Sequence, residues 1–245
     1  MRVRITVMAM ALMLLASACS RGDAPAHVAA QGDNTASAPA RARPARASAQ
    51  PTILFVGTSL TAGYGLADPD DAYPEVIARR IDSLGLNYRV VNAGVSGETS
   101  AGALRRMSWL MRGPVNVFVL ETGANDGLRG LSVDSMRANI QAIFDSVRAA
   151  HPDAKLVLLG MKAPPNMGPS YTRAFDAAFP ALARRNDATF VPFLLAGVAG
   201  VDSLNQGDGI HPNVRGAELV ADNVWRVLRG VLQTRTALDP HRTHG

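Results

Sequence analysis

Five short apolar runs, at residues 52–56, 88–91, 115–120, 155–159 and 189–192, alternate with stretches of helical periodicity along the second part of the chain. Strands that alternate with helices form parallel sheets, because a parallel pair needs a long crossover to return the chain to the same edge. The runs are nearly continuous in apolar residues rather than alternating, as expected of strands covered on both faces. The intervening stretches carry apolar stripes at the 3.6 period. Val133, Met136, Ile140, Ile143, Phe144 and Val147 form one, and Val220, Val224, Val227, Leu228 and Val231 another. These stripes are expected to be core. The expected fold class is therefore α/β, a three-layer α/β/α sandwich on a five-stranded parallel sheet, spanning residues 51–233 as one domain with residues 234–245 as a flexible tail.

The N-terminal fifty residues do not fit this pattern. Arg2 and Arg4 precede an apolar run over residues 5–18 that ends at Cys19, the only cysteine. That run is shorter than the ~20 residues a membrane span needs, and it reads as a signal peptide ending at residue 19. Two ways of processing it are open. Ala16-Ser17-Ala18 is an A-x-A cleavage site, while Leu15-Ala16-Ser17-Ala18-Cys19 resembles a bacterial lipoprotein box, with Ala16 where a larger aliphatic residue is usual. A sole cysteine at the cleavage point favours lipidation at Cys19, and Ser20 after it resembles the outer-membrane sorting type. Residues 20–50 are rich in Ala, Pro and Arg and hold no aromatic residue, so they cannot bury a core and read as a disordered tether. Export to the periplasm is expected, most simply as a membrane-anchored lipoprotein and otherwise as a soluble protein.

The basic balance of the chain, 25 Lys and Arg against 20 Asp and Glu, sits in that segment. Arg2, Arg4, Arg21, Arg41, Arg43 and Arg46 precede residue 51 with only Asp23 and Asp33 against them, leaving the folded part close to neutral. Nucleic-acid binding would need a basic patch on the domain itself, so it is not expected. A near-neutral domain of this size is expected to be a monomer.

In an open parallel sheet the chemistry sits outside the carboxyl ends of the strands. Four segments belong there: Gly57-Thr58-Ser59-Leu60, the loop from Asn92 to Thr99, the loop from Glu121 to Asp126, and Asp208-Gly209-Ile210-His211-Pro212. A serine is a weak nucleophile at neutral pH and needs a base to accept its proton. His211 can do this for Ser59, and Asp208, three residues before it, can orient the imidazole. Pro212 suits the first position of the last helix, which would place His211 near that helix's N-terminus. The nucleophile elbow G-x-S-x-G is not met, since Leu60 and Thr61 follow Ser59. There is no H-E-x-x-H motif. Of the five histidines, His27 lies in the tether, His151 precedes Pro152, and His241 and His244 fall in the tail. No glycine-rich phosphate loop follows the first strand. Neither a metal nor any other cofactor is expected.

Taken in order, the four segments resemble the four blocks of the SGNH hydrolases, the GDSL family, over residues 51 to about 232. The resemblance implies a flavodoxin-like sheet, a Ser59, His211 and Asp208 triad, and an oxyanion hole from Ser59, Gly97 and Asn125. Gly97 can present its backbone N–H closely because it has no side chain, and Asn125 can add a side-chain N–H. The first block departs from the family, with Thr58 where aspartate is usual. That aspartate is not the triad acid, so its loss leaves the triad but puts the hydrogen bonding of the loop in question. Within the family the chain is similar to the bacterial arylesterase and periplasmic thioesterase/lysophospholipase branch. A small-molecule acyl ester, thioester or lipid is the expected substrate. Asp126 and Met167 are candidate substrate contacts, Met167 in a proline-rich loop over residues 163–169 apolar enough to line an acyl groove. Two other readings stay open: a carbohydrate O-acetylesterase of the cell envelope, and a binding module with a decayed site.

Overall fold

A computed structural model of the chain describes residues 50–236. The signal peptide, Cys19, the tether before residue 50 and the tail histidines lie outside the described residues.

Five strands form one parallel sheet: β1 (Thr52–Gly57), β2 (Arg89–Gly94), β3 (Val117–Glu121), β4 (Lys155–Leu159) and β5 (Thr189–Val191), in the order β2-β1-β3-β4-β5. Every residue of β1 and β3 is buried, so both faces of the sheet centre are covered, as their unbroken apolar sequences require. Seven helices supply the cover: α1 (Ser59–Ala62), α2 (Tyr73–Ser83), α3 (Ser100–Leu110), α4 (Ala124–Leu128), α5 (Val133–Ala150), α6 (Pro169–Arg185) and α7 (Val214–Thr236). Helix α5 packs on α3 and α6, and α2 packs on α7, giving one helical layer to each face. The stripes expected to be core are mostly core, with Val133, Val227 and Val231 partly buried against it. Met136, Ile140, Ile143, Phe144 and Val147 of α5 and Val220, Val224 and Leu228 of α7 are fully or almost fully buried.

The strand bounds differ from the apolar runs in two instructive places. Strand β2 starts one residue later than its run and continues to Gly94, because Asn92, Ala93 and Gly94 pair with Phe55, Val56 and Gly57 of β1. Asn92 stays in the strand by donating to the Thr61 carbonyl and accepting from the Gly94 N–H. Gly94 is required by contact: a Cβ there would lie 2.3 Å from the Ala62 backbone nitrogen. Strand β3 begins at Val117 rather than Val115, since Asn116 turns its side chain to accept from the Thr52 N–H at 2.8 Å.

The start of the last helix also differs. Helix α7 begins at Val214, and Asn213 caps it, its side chain accepting from the Gly216 N–H and its carbonyl from the Ala217 N–H. Pro212 therefore precedes the cap and is not the first helical residue. At the other end α7 extends to Thr236, so the backbone at residues 234–236, expected to start a frayed tail, is helical.

Candidate active site

Strand order reverses between β1 and β3, which are neighbours in the sheet but lead to opposite halves of it, and a crevice opens at their carboxyl ends. Ser59 is the first residue of α1, two residues beyond the end of β1. Its Oγ lies 2.9 Å from His211 Nε2. His211 Nδ1 lies 2.6 Å from Asp208 Oδ2. With Nδ1–H donating to the carboxylate, Nε2 is left as an acceptor for the serine hydroxyl, the tautomer a proton relay needs.

The loop carrying the acid and the base is built locally. Asp208 Oδ1 accepts from the backbone N–H groups of Ile210 and His211, at 2.9 and 3.0 Å, closing a tight turn around Gly209, whose φ is +69°. The His211 backbone N–H, then the His211 ring, then the Ile210 N–H hold the Asp208 carboxyl well below the usual carboxylate range, so it stays ionised beside the imidazole. Gln206 ties this loop to the serine side of the cleft. Its backbone N–H donates to the His211 carbonyl, and its side-chain amide to the carbonyls of Tyr64 and Pro212. The Tyr64 ring lies 4.8 Å from the imidazole, centroid to centroid.

Gly97 and Asn125 face the same crevice. Gly97 adopts φ +77°, a left-handed conformation that favours glycine, and its carbonyl accepts from Arg129 at 2.8 Å. Asn125, in the first turn of α4, donates one side-chain N–H to the Glu98 carbonyl at 2.9 Å. An amide has two such hydrogens, so the second remains for a ligand in the cleft. Glu98 is fixed in turn by Arg106, which reaches both its carboxylate oxygens and the Ala93 carbonyl. Ser59, Gly97, Asn125, Asp208 and His211 thus line one cleft of about 710 Å³. Its other walls are mainly apolar, including Leu128, Pro164, Phe193 and Ile210. One cation borders it, Lys162, whose Nζ lies 5.0 Å from the centre of the Phe193 ring.

The two candidate substrate contacts are not brought to this cleft. Asp126 is 2% exposed, and its carboxylate accepts from the Ser100 N–H and hydroxyl at 2.8 and 2.6 Å, pinning the start of α3 to α4. Met167 sits half-buried in the turn Pro165–Met167, its Cε 3.0 Å from where a Cβ on Gly130 would be, and it does not line the cleft. The loop it belongs to does contribute, through Ala163, Pro164 and Pro165. Sequence reasoning missed Gln206, Tyr64 and Glu121. Only Glu121 carried a signal, as a charge closing an otherwise apolar run.

A family model described as the GDSL-like lipase/acylhydrolase family matches residues 55–219. Esterase TesA of Pseudomonas aeruginosa is 41% identical over 189 residues, which cover 76% of this chain and 92% of that protein. Thioesterase 1/protease 1/lysophospholipase L1 of Escherichia coli K12 is 36% identical over 178 residues, 72% of this chain and 83% of that protein. The crystal structure of the psychrotrophic esterase EstA from Pseudoalteromonas sp., inhibited by monoethylphosphonate, matches with a TM-score of 0.69 at 34% identity, covering 74% of this chain and 98% of that one.

Proposed function

This chain belongs to the GDSL-like lipase/acylhydrolase family and is a serine-type ester hydrolase, and from that premise we propose that it cleaves acyl esters or thioesters through Ser59, His211 and Asp208. The observation that carries the proposal is the continuous pair of hydrogen bonds from Ser59 Oγ through the imidazole to Asp208.

In this mechanism His211 Nε2 takes the proton of Ser59 as Oγ attacks the substrate carbonyl. The oxyanion that forms accepts from the N–H groups of Ser59, Gly97 and the free amide hydrogen of Asn125. Collapse expels the alcohol or thiol with the proton from His211 and leaves an acyl group on Ser59. Water, deprotonated by the same imidazole, then releases the acid. Asp208 remains ionised throughout and stabilises the imidazolium as it forms.

The substrate class follows from the cleft. An acetyl group needs little of its volume and a sugar needs hydrogen-bonding walls, whereas the apolar lining suits a longer acyl chain. The relatives' names, esterase and thioesterase/lysophospholipase, point the same way. An O-acetylesterase or a non-hydrolytic binding module fits these observations less well. The N-terminal sequence supports export of the enzyme, anchored through Cys19 or released as a soluble protein. Intact mass of the mature protein decides between them, because lipidation adds the mass of acyl chains at Cys19.

The test of function is hydrolysis of p-nitrophenyl esters from acetate to palmitate. The Ser59→Ala protein should lose about 10⁴-fold or more in kcat, as loss of a triad nucleophile does. A chain-length optimum above acetate supports the acyl-chain reading. Turnover that survives Ser59→Ala would defeat the proposed triad.

A further inference from the structure

Glu121 closes β3 with no exposed surface, and no cation pairs with it among the described residues. Its partners are donors on either side of Ser59. The Thr58 N–H reaches Oε2 at 2.6 Å, the Thr58 hydroxyl reaches both oxygens at 2.9 Å, and the Thr61 hydroxyl reaches Oε2 at 3.0 Å. Thr61 also pairs with the Tyr73 hydroxyl at 2.9 Å. The packing leaves no slack. A Cβ on Gly57 would lie 1.9 Å from Thr61 Oγ1 and 2.7 Å from Glu121 Oε2.

A carboxylate buried without a counter-ion is expensive, and an apolar residue of similar volume would serve the core better. The cost falls at the one turn whose geometry decides where Ser59 Oγ points. Thr58 meets that carboxylate with a hydroxyl, which can donate to it. An aspartate at position 58 would set a second carboxyl against the first, and the two would have to share a proton.

We propose that Glu121 is a positioning residue for the nucleophile, holding the turn through Thr58 and Thr61 so that Ser59 Oγ meets His211 without touching Ser59 itself. The inference rests on Ser59 being the nucleophile. Its signature is a loss in kcat rather than in KM, because a misdirected Oγ weakens attack, while Thr58, which borders the cleft, is only 2% exposed and offers a substrate little surface.

The experiment compares wild type, Thr58→Val, Thr58→Ser and Glu121→Gln on p-nitrophenyl butyrate, with thermal unfolding and the rate of Ser59 labelling by a fluorophosphonate measured on each. Thr58→Val keeps the shape and the backbone N–H but removes the hydroxyl. It should lower kcat and the labelling rate by about 10- to 100-fold with KM within about 2-fold, the scale expected when a reacting atom is slightly misplaced. Thr58→Ser restores the hydroxyl and should recover both rates to within about 3-fold of wild type. Glu121→Gln, where it folds, should follow Thr58→Val. The inference is overturned if folded Thr58→Val retains wild-type kcat, if the loss lies in KM, or if Thr58→Ser is as slow as Thr58→Val. Ser59→Ala in the same assay separates the two failures. Full activity in that variant removes the nucleophile reading, whereas an inactive Ser59→Ala beside an unimpaired Thr58→Val removes only the role of Glu121.

Discussion

Asp208 shows how much a single exposed carboxylate can be asked to do when three donors converge on it. Its folded-state pKa is held well below the usual carboxylate range by the His211 backbone N–H, the His211 ring and the Ile210 N–H, so the ionised form is favoured. A group whose folded pKa is lowered adds stability above its unfolded pKa, near 4, and that stability is lost as pH falls through the folded value. Asp208→Asn should therefore unfold at a lower temperature than wild type at pH 7, with the gap narrowing at pH 3; a gap independent of pH would contradict this. Asn125→Ala removes one donor from the proposed oxyanion hole and should lower kcat by roughly 100- to 1000-fold with little change in KM. At this scale the residues that converge on the cleft were legible, because the D-x-x-H spacing and the glycine and asparagine blocks are local chemistry. Asp126, expected to contact substrate, packs on Ser100 instead, while its neighbour Asn125 lines the cleft. Adjacent residues at a helix start point about 100° apart, and only the packed structure decides that one faces the cleft and the other Ser100.

The strands at the centre of the sheet were legible from their apolar runs, and the edge strand β2 was the one whose bounds were blurred. β1, β3 and β4 follow their apolar runs to within a residue or two, while β2, on the edge, is carried through polar Asn92 by pairing that no periodicity reveals. The start of α7 was displaced because Pro212 suggested a first helical position, whereas Asn213 supplies the cap. Asn213 also donates its side-chain N–H groups to the Ser203 and Asn205 carbonyls, so Asn213→Ala should cost about 1 kcal/mol or more in urea unfolding, and Asn213→Asp, which keeps the cap but loses those donors, should recover only part of it. The cleft walls belong to this scale too. Leu128 ends α4 at the cleft, so Leu128→Asp should reduce hydrolysis of long-chain esters more than of acetate. Met167→Glu, outside the cleft, should leave the ratio of the two unchanged. Measured ratios in the opposite order would place the acyl groove elsewhere.

At the scale of the whole molecule, the class of fold was legible from five apolar runs, but the order β2-β1-β3-β4-β5 came only with the resemblance to a flavodoxin-like sheet, since pairing of distant strands leaves no mark on either one. That order nevertheless brings Ser59 and His211, 152 positions apart, within a hydrogen bond. On the proposed triad, a chain made from its N-terminus should stay inert until the segment before its last helix has emerged and docked. A product truncated ahead of Asp208 should then fall silent instead of becoming a loose, unselective hydrolase. Completion of folding would then be the activation step, and recovery of esterase activity after denaturation should time the arrival of the segment that carries Asp208 and His211.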